Sequence, residues 1–150
     1  TGAAYLTSAF WGAFSVSRLP GSGISSRLRP PTILVTDLAG CLLAFAILLS
    51  WPASSLALWA GTILMGLSIA SVFATGMAFA EQRLSLTGAM IGWILVGGGI
   101  GGMVSPWLIG QLFERIGPHV TMPVLLANTL IAFGLLLALI LPVRKIASTN

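Results

Sequence analysis

Charged positions divide this chain into long apolar stretches. No formal charge occurs over the 43 residues between Asp37 and Glu81, the 30 between Arg83 and Glu114, or the 28 between Arg115 and Arg144. A bilayer core is about 30 Å thick and takes about 20 apolar residues to cross as a helix. The first run is long enough for two crossings with a turn between them, and each of the others for one. With a shorter apolar stretch before Arg18, the pattern predicts helices over residues 3–19, 32–49, 56–82, 87–113 and 121–143. A membrane barrel needs alternating segments of about ten residues, and these runs do not alternate. The expected fold class is an all-α membrane protein with five transmembrane helices in a single domain.

Turn chemistry falls between the predicted helices. Residues 20–31 hold Gly21, Gly23, three serines and the Pro30-Pro31 pair. Trp51-Pro52 and Gly117-Pro118 mark two further breaks, since these residues punctuate regular structure. Residues 3–16 are short for a crossing, and the chain shows no signal-peptide pattern. The chain therefore reads as a fragment whose first helix lacks its beginning.

Composition sharpens this picture. The chain is 57% hydrophobic and 7% charged, against about 25% charged in a soluble domain. The net charge of +4 does not make a nucleic-acid partner, because the basic residues stand singly at the ends of apolar runs instead of forming a face. They report topology instead. Arg18, Arg27, Arg29, Arg83, Arg144 and Lys145 fall on one side of the alternating crossings and only Arg115 on the other. By the positive-inside rule, the carboxyl terminus is expected in the cytoplasm. The lone Cys41 excludes an internal disulfide.

Small residues mark expected contacts. Gly98, Gly102, Pro106 and Gly110 recur every four residues along one side of the fourth predicted helix. In lipid, helices associate where small residues let backbones approach, so this ladder predicts close packing, with a kink at Pro106. The first helix carries two such ladders, Ala4-Ser8-Gly12 and Ala9-Ala13-Ser17. Both helices are expected to face segments outside this chain. The glycine run lacks the strand, lysine and acid that a phosphate-binding loop requires.

Polar residues inside the spans are the candidates for function. Ser68, Ser71 and Thr75 lie within about 60° of one another at 100° per residue, and could line a water-filled path or bond their own helix. Trp93 and Asn128 are further candidates to face a substrate cavity, although Asn128 can equally bond a neighbouring helix. Asp37, about one turn into its span, is expected to reach the interface or pair with Arg18 or Arg29, with ion or proton coupling as the alternative. Glu81 and Arg83, with Arg18 and Asp37, form a candidate cytoplasmic charge network. No metal-ligating cluster and no cofactor motif is evident.

Ala80-Glu81-Gln82-Arg83, Leu86-Thr87-Gly88 and Pro106-Trp107-Leu108-Ile109-Gly110 together resemble the carboxyl-terminal half of a major facilitator superfamily transporter. Tyr5-Leu6-Thr7-Ser8-Ala9-Phe10-Trp11-Gly12 and Gly110-Gln111-Leu112-Phe113-Glu114-Arg115-Ile116-Gly117-Pro118 look most like the sodium-dependent glucose transporter 1 group and the fucose-permease-like sugar transporters. The resemblance implies helices eight to twelve of a twelve-helix bundle, with the seventh helix and the amino-terminal half missing. It also implies a small polar solute, a hexose among the candidates, moved by alternating access and coupled to Na⁺ or H⁺ in the plasma membrane. Ser17-Arg18 stands where that family usually has Gly-Arg, and residues 17–31 have no acid, so the loop motif is incomplete.

Two other readings fit an apolar chain with few charges. A non-transporting membrane protein or truncated isoform would act through helix assembly alone. An intramembrane hydrolase would pair Ser22 with His119, but the topology puts the two on opposite sides of the membrane, beyond the about 3 Å that nucleophile and base require.

Overall fold

A computed structural model describes residues 2–19 and 28–147, with side chains described to Leu141. Six α-helices and one 3₁₀ turn account for the regular structure, and there is no strand among the described residues. They are α1 (Gly2–Arg18), α2 (Pro30–Ser50), α3 (Ser55–Ile69), α4 (Val72–Arg83), α5 (Gly88–Ile116), the 3₁₀ turn Pro118–Val120, and α6 (Thr121–Ala147). Ser22 and Arg27 lie outside the described residues. Four segments are long and apolar enough to cross a membrane: Pro30–Ser50, Ser55–Arg83, Gly88–Ile116 and Pro118–Leu141.

Local chemistry sets the helix ends. Proline opens α2, where its missing N–H is no loss. Ser54 and Thr87 cap α3 and α5 by accepting from Ala57 N and Met90 N, each at 3.4 Å. Gly117, at φ 97°, closes α5 in a conformation that a side chain would resist. Pro106 lies inside α5 without ending it. The predicted third helix differs most from expectation. It is two helices, α3 and α4, interrupted at Ala70 and Ser71.

The helices pack around α2, which touches α3, α4 and α6. Leu34 and Leu38 of α2 form the core with Leu136 of α6, and Val72 and Phe79 of α4 close over them. Close approaches at two glycines lock the other side. A Cβ at Gly61 would come within 2.6 Å of Leu48 Cγ on α2. One at Gly66 would come within 2.6 Å of the Phe10 carbonyl on α1. Cys41 is buried in α2 between these contacts.

The small-residue ladders divide. On α1, Ala13 and Ser17 face α3, for Ala13 Cβ stands 3.2 Å from a Cβ built at Gly66 and Ser17 bonds Leu67. That ladder meets a neighbour within this chain, not only segments outside it. Ala4, Ser8 and Gly12 are exposed. On α5, nothing lies within 4 Å of a Cβ built at Gly98, Gly102 or Gly110. That helix meets the rest of the chain mainly at its end, through the 3₁₀ turn and α6.

Candidate functional site

One cavity of about 550 Å³ opens beside α2. Phe10 of α1, Phe45 of α2, Thr62 and Met65 of α3, and Met122 and Asn128 of α6 are among its walls. Its lining is almost wholly apolar. Thr129 also reaches it, but its hydroxyl donates to Leu125 O at 3.0 Å in its own helix. A sugar carries several hydroxyls that each need a partner once removed from water. Asn128 and Thr62 are too few to supply them, so this cavity suits apolar surface and not a hexose.

The residues singled out from sequence are placed apart. Only Asn128 lines the cavity, and its Nδ2 also donates to Ser105 Oγ of α5 at 3.1 Å. Trp93 is 75% exposed on α5. Ser68 and Thr75 are buried, Ser68 against Gly40 of α2. Ser71 donates from Oγ to Asp37 Oδ2. Ser68 and Ser71 thus meet α2. Periodicity does not say what a face meets. Thr62 and the aromatic and methionine walls were missed. A lone threonine in an apolar run gave a usable signal at Thr62, whereas nothing distinguished the apolar walls from lipid-facing residues.

The expected charge network takes a different form. Asp37 is partnered by Ser71 instead of Arg18 or Arg29. The Arg18 guanidinium lies 4.6 Å from the centroid of Phe14, one turn back on its own helix. Arg83 lies 4.7 Å from the Phe79 ring and donates to the Leu139 carbonyl of α6 at 3.4 Å. Glu81 is exposed. An arginine at a helix end keeps its charge toward water while its stem and a ring share apolar contact. That arrangement serves Arg18 and Arg83 without a carboxylate.

Comparison with known proteins decides the family. The chain is 33% identical over 117 residues to human major facilitator superfamily domain-containing protein 4A, a match over 78% of this chain. It is 33% identical over 141 residues to mouse sodium-dependent glucose transporter 1A, 94% of this chain. It is 33% identical over 149 residues to sodium-dependent glucose transporter 1 of Xenopus laevis, 99% of this chain. The chain belongs to the major facilitator superfamily. It spans 23%, 32% and 30% of the lengths of those three relatives. No family model matches the chain, and no solved structure matches it significantly. Membership accounts for the apolar spans and makes the lipid bilayer the surrounding medium. It places this all-helical chain among integral, multi-pass membrane proteins.

Proposed function

We propose that this chain is part of a secondary active transporter that moves a small polar solute, with a hexose the first candidate, by alternating access coupled to Na⁺ or H⁺. The observation that carries the reading is the 33% identity to a sodium-dependent glucose transporter over 99% of the chain. The open face of α5 supports it. Gly98, Gly102, Pro106 and Gly110 offer a shallow surface that a second half of a transporter can approach closely. On this reading α5, with the exposed ladder of α1, meets helices outside this chain, and the solute binds between the halves. Trp93, exposed on α5, becomes a residue that can stack on a solute there. The apolar cavity beside α2 stays outside the solute path.

The basic residues supply the sidedness. Arg18, Arg29 and Arg83 mark the cytoplasmic face, which puts the carboxyl terminus inside, and the plasma membrane is the expected location. Uptake of labelled hexoses into proteoliposomes containing the full-length product tests the function. Uptake that rises with an imposed Na⁺ gradient supports Na⁺ coupling, and a rise with a proton gradient supports H⁺. No uptake of any hexose under either gradient overturns the sugar reading.

A further inference from the structure

The 29-residue span Ser55–Arg83 is interrupted near its middle, at Ala70 and Ser71. Helix interruptions usually trace to proline, glycine or an inserted side chain. Neither Ala70 nor Ser71 is a helix breaker of the first two kinds, and both keep right-handed helical φ and ψ, so what distinguishes the junction is its hydrogen bonding to neighbours. Two of them reach the junction from opposite sides.

From α1, Ser17 Oγ donates to the Leu67 carbonyl at 2.8 Å. In an unbroken helix that carbonyl accepts from the amide four residues on, which is that of Ser71. From α2, Asp37 Oδ2 accepts from the Ser71 hydroxyl. Ser71 stands at the N-cap of α4, where a serine hydroxyl ordinarily accepts from an amide of the next turn. It makes no such cap here. Its hydroxyl is turned outward to the carboxylate, while its carbonyl still accepts from Thr75 N at 2.9 Å. Both side chains therefore serve groups that the interruption affects, and they do so across helix boundaries. An acid within a span is retained only where it has a partner.

We propose that Ala70–Ser71 is a hinge latched by Asp37 and Ser17. With both bonds made, α4 is held against α2 and α6, where Val72 and Phe79 close over Leu34, Leu38 and Leu136. With the Asp37 bond released, Ser71 is free to cap α4 and the angle between α3 and α4 can change. Asp37 acts as a positioning residue on the helix junction. The inference stands apart from the transport reading, because it concerns backbone order at one junction whether or not a solute moves.

Hydrogen exchange across residues 66–76 of the full-length protein in lipid nanodiscs tests it. Asp37→Ala and Ser71→Ala should each speed exchange of the junction amides roughly three- to tenfold, the range of one interhelical hydrogen bond in a membrane protein. The double variant should exchange no faster than the quicker single variant, since both break the same bond. Asp37→Asn keeps an acceptor oxygen and should exchange close to the parent rate. Unchanged exchange in Ser71→Ala overturns the latch, as does a double variant that multiplies the two single effects. Asp37→Asn exchanging as fast as Asp37→Ala overturns it too. Ser71→Ala removes a single oxygen and carries the test by itself should Asp37→Ala fail to fold.

Discussion

Helices α3 and α5 are both rich in glycine, yet they use it in opposite ways. In α3, Gly61 and Gly66 are filled by neighbours: Leu48 stands over one and the Phe10 carbonyl over the other. In α5, Gly98, Gly102 and Gly110 face open space, and no residue of the helix is buried. A glycine without a contact gains nothing for its conformational cost, about 1 kcal/mol against alanine. The pair teaches that a small residue in a span is a statement about a neighbour, and that the neighbour's identity must come from elsewhere. In α3 the neighbours are α1 and α2, while for α5 we propose helices outside this chain.

Four substitutions sharpen or break that contrast. Gly66→Leu should be the most damaging, because the colliding atom is the backbone oxygen of Phe10 and cannot swing away. A loss of about 3 kcal/mol or more is expected, at the upper end of overpacking effects. It would be read as a lower thermal midpoint and loss of the monodisperse species. Phe45→Ala comes next. Phe45 is buried between helices and also walls the cavity. The loss should fall to about 2 kcal/mol, below the 3–5 kcal/mol typical of a soluble core, because the surrounding lipid is itself apolar and only packing is lost. Denaturant titration in mixed micelles measures it.

Asn128→Leu removes the bond to Ser105 that ties α6 to α5. About 0.6 kcal/mol is expected, the average for an interhelical bond in a membrane protein. Cross-linking of cysteines placed on α5 and α6 should show the two helices separating more often. Gly98→Leu should be the mildest in this chain alone, within about 0.5 kcal/mol, the usual range for a site away from contacts. In the full-length protein the same change should cost about 1–3 kcal/mol if the ladder is a packing surface. An equal, small effect in both settings would remove the difference between the two helices and with it the proposed role of α5.

Much of the fold was legible in the charges and the turns. The uncharged runs bounded by Asp37, Glu81, Arg83, Glu114, Arg115 and Arg144 located the spans, because a helix in lipid tolerates few charges. Pro30 and Gly117 lie within a few residues of the helix ends they form. The interruption at Ala70 and Ser71 was not legible. Its partners, Ser17 and Asp37, stand 50 and 34 residues away from the atoms they bond. The candidate site was legible only in part, for the same reason. Ser68, Ser71 and Thr75 share one angular face in the sequence, but only the fold brings Ser68 and Ser71 against α2.

By itself the sequence determined that this chain lives in a bilayer, roughly where it crosses, and to which superfamily its pattern belongs. The first two follow from composition and hydropathy, which act residue by residue through solvation, whereas the superfamily rests on likeness to known members. Tertiary structure alone decided which glycines are filled, which hydroxyl takes Asp37, and that the cavity beside α2 is apolar. Those outcomes depend on which helices become neighbours, and in lipid that choice rests on shape and scattered hydrogen bonds between residues far apart in the chain.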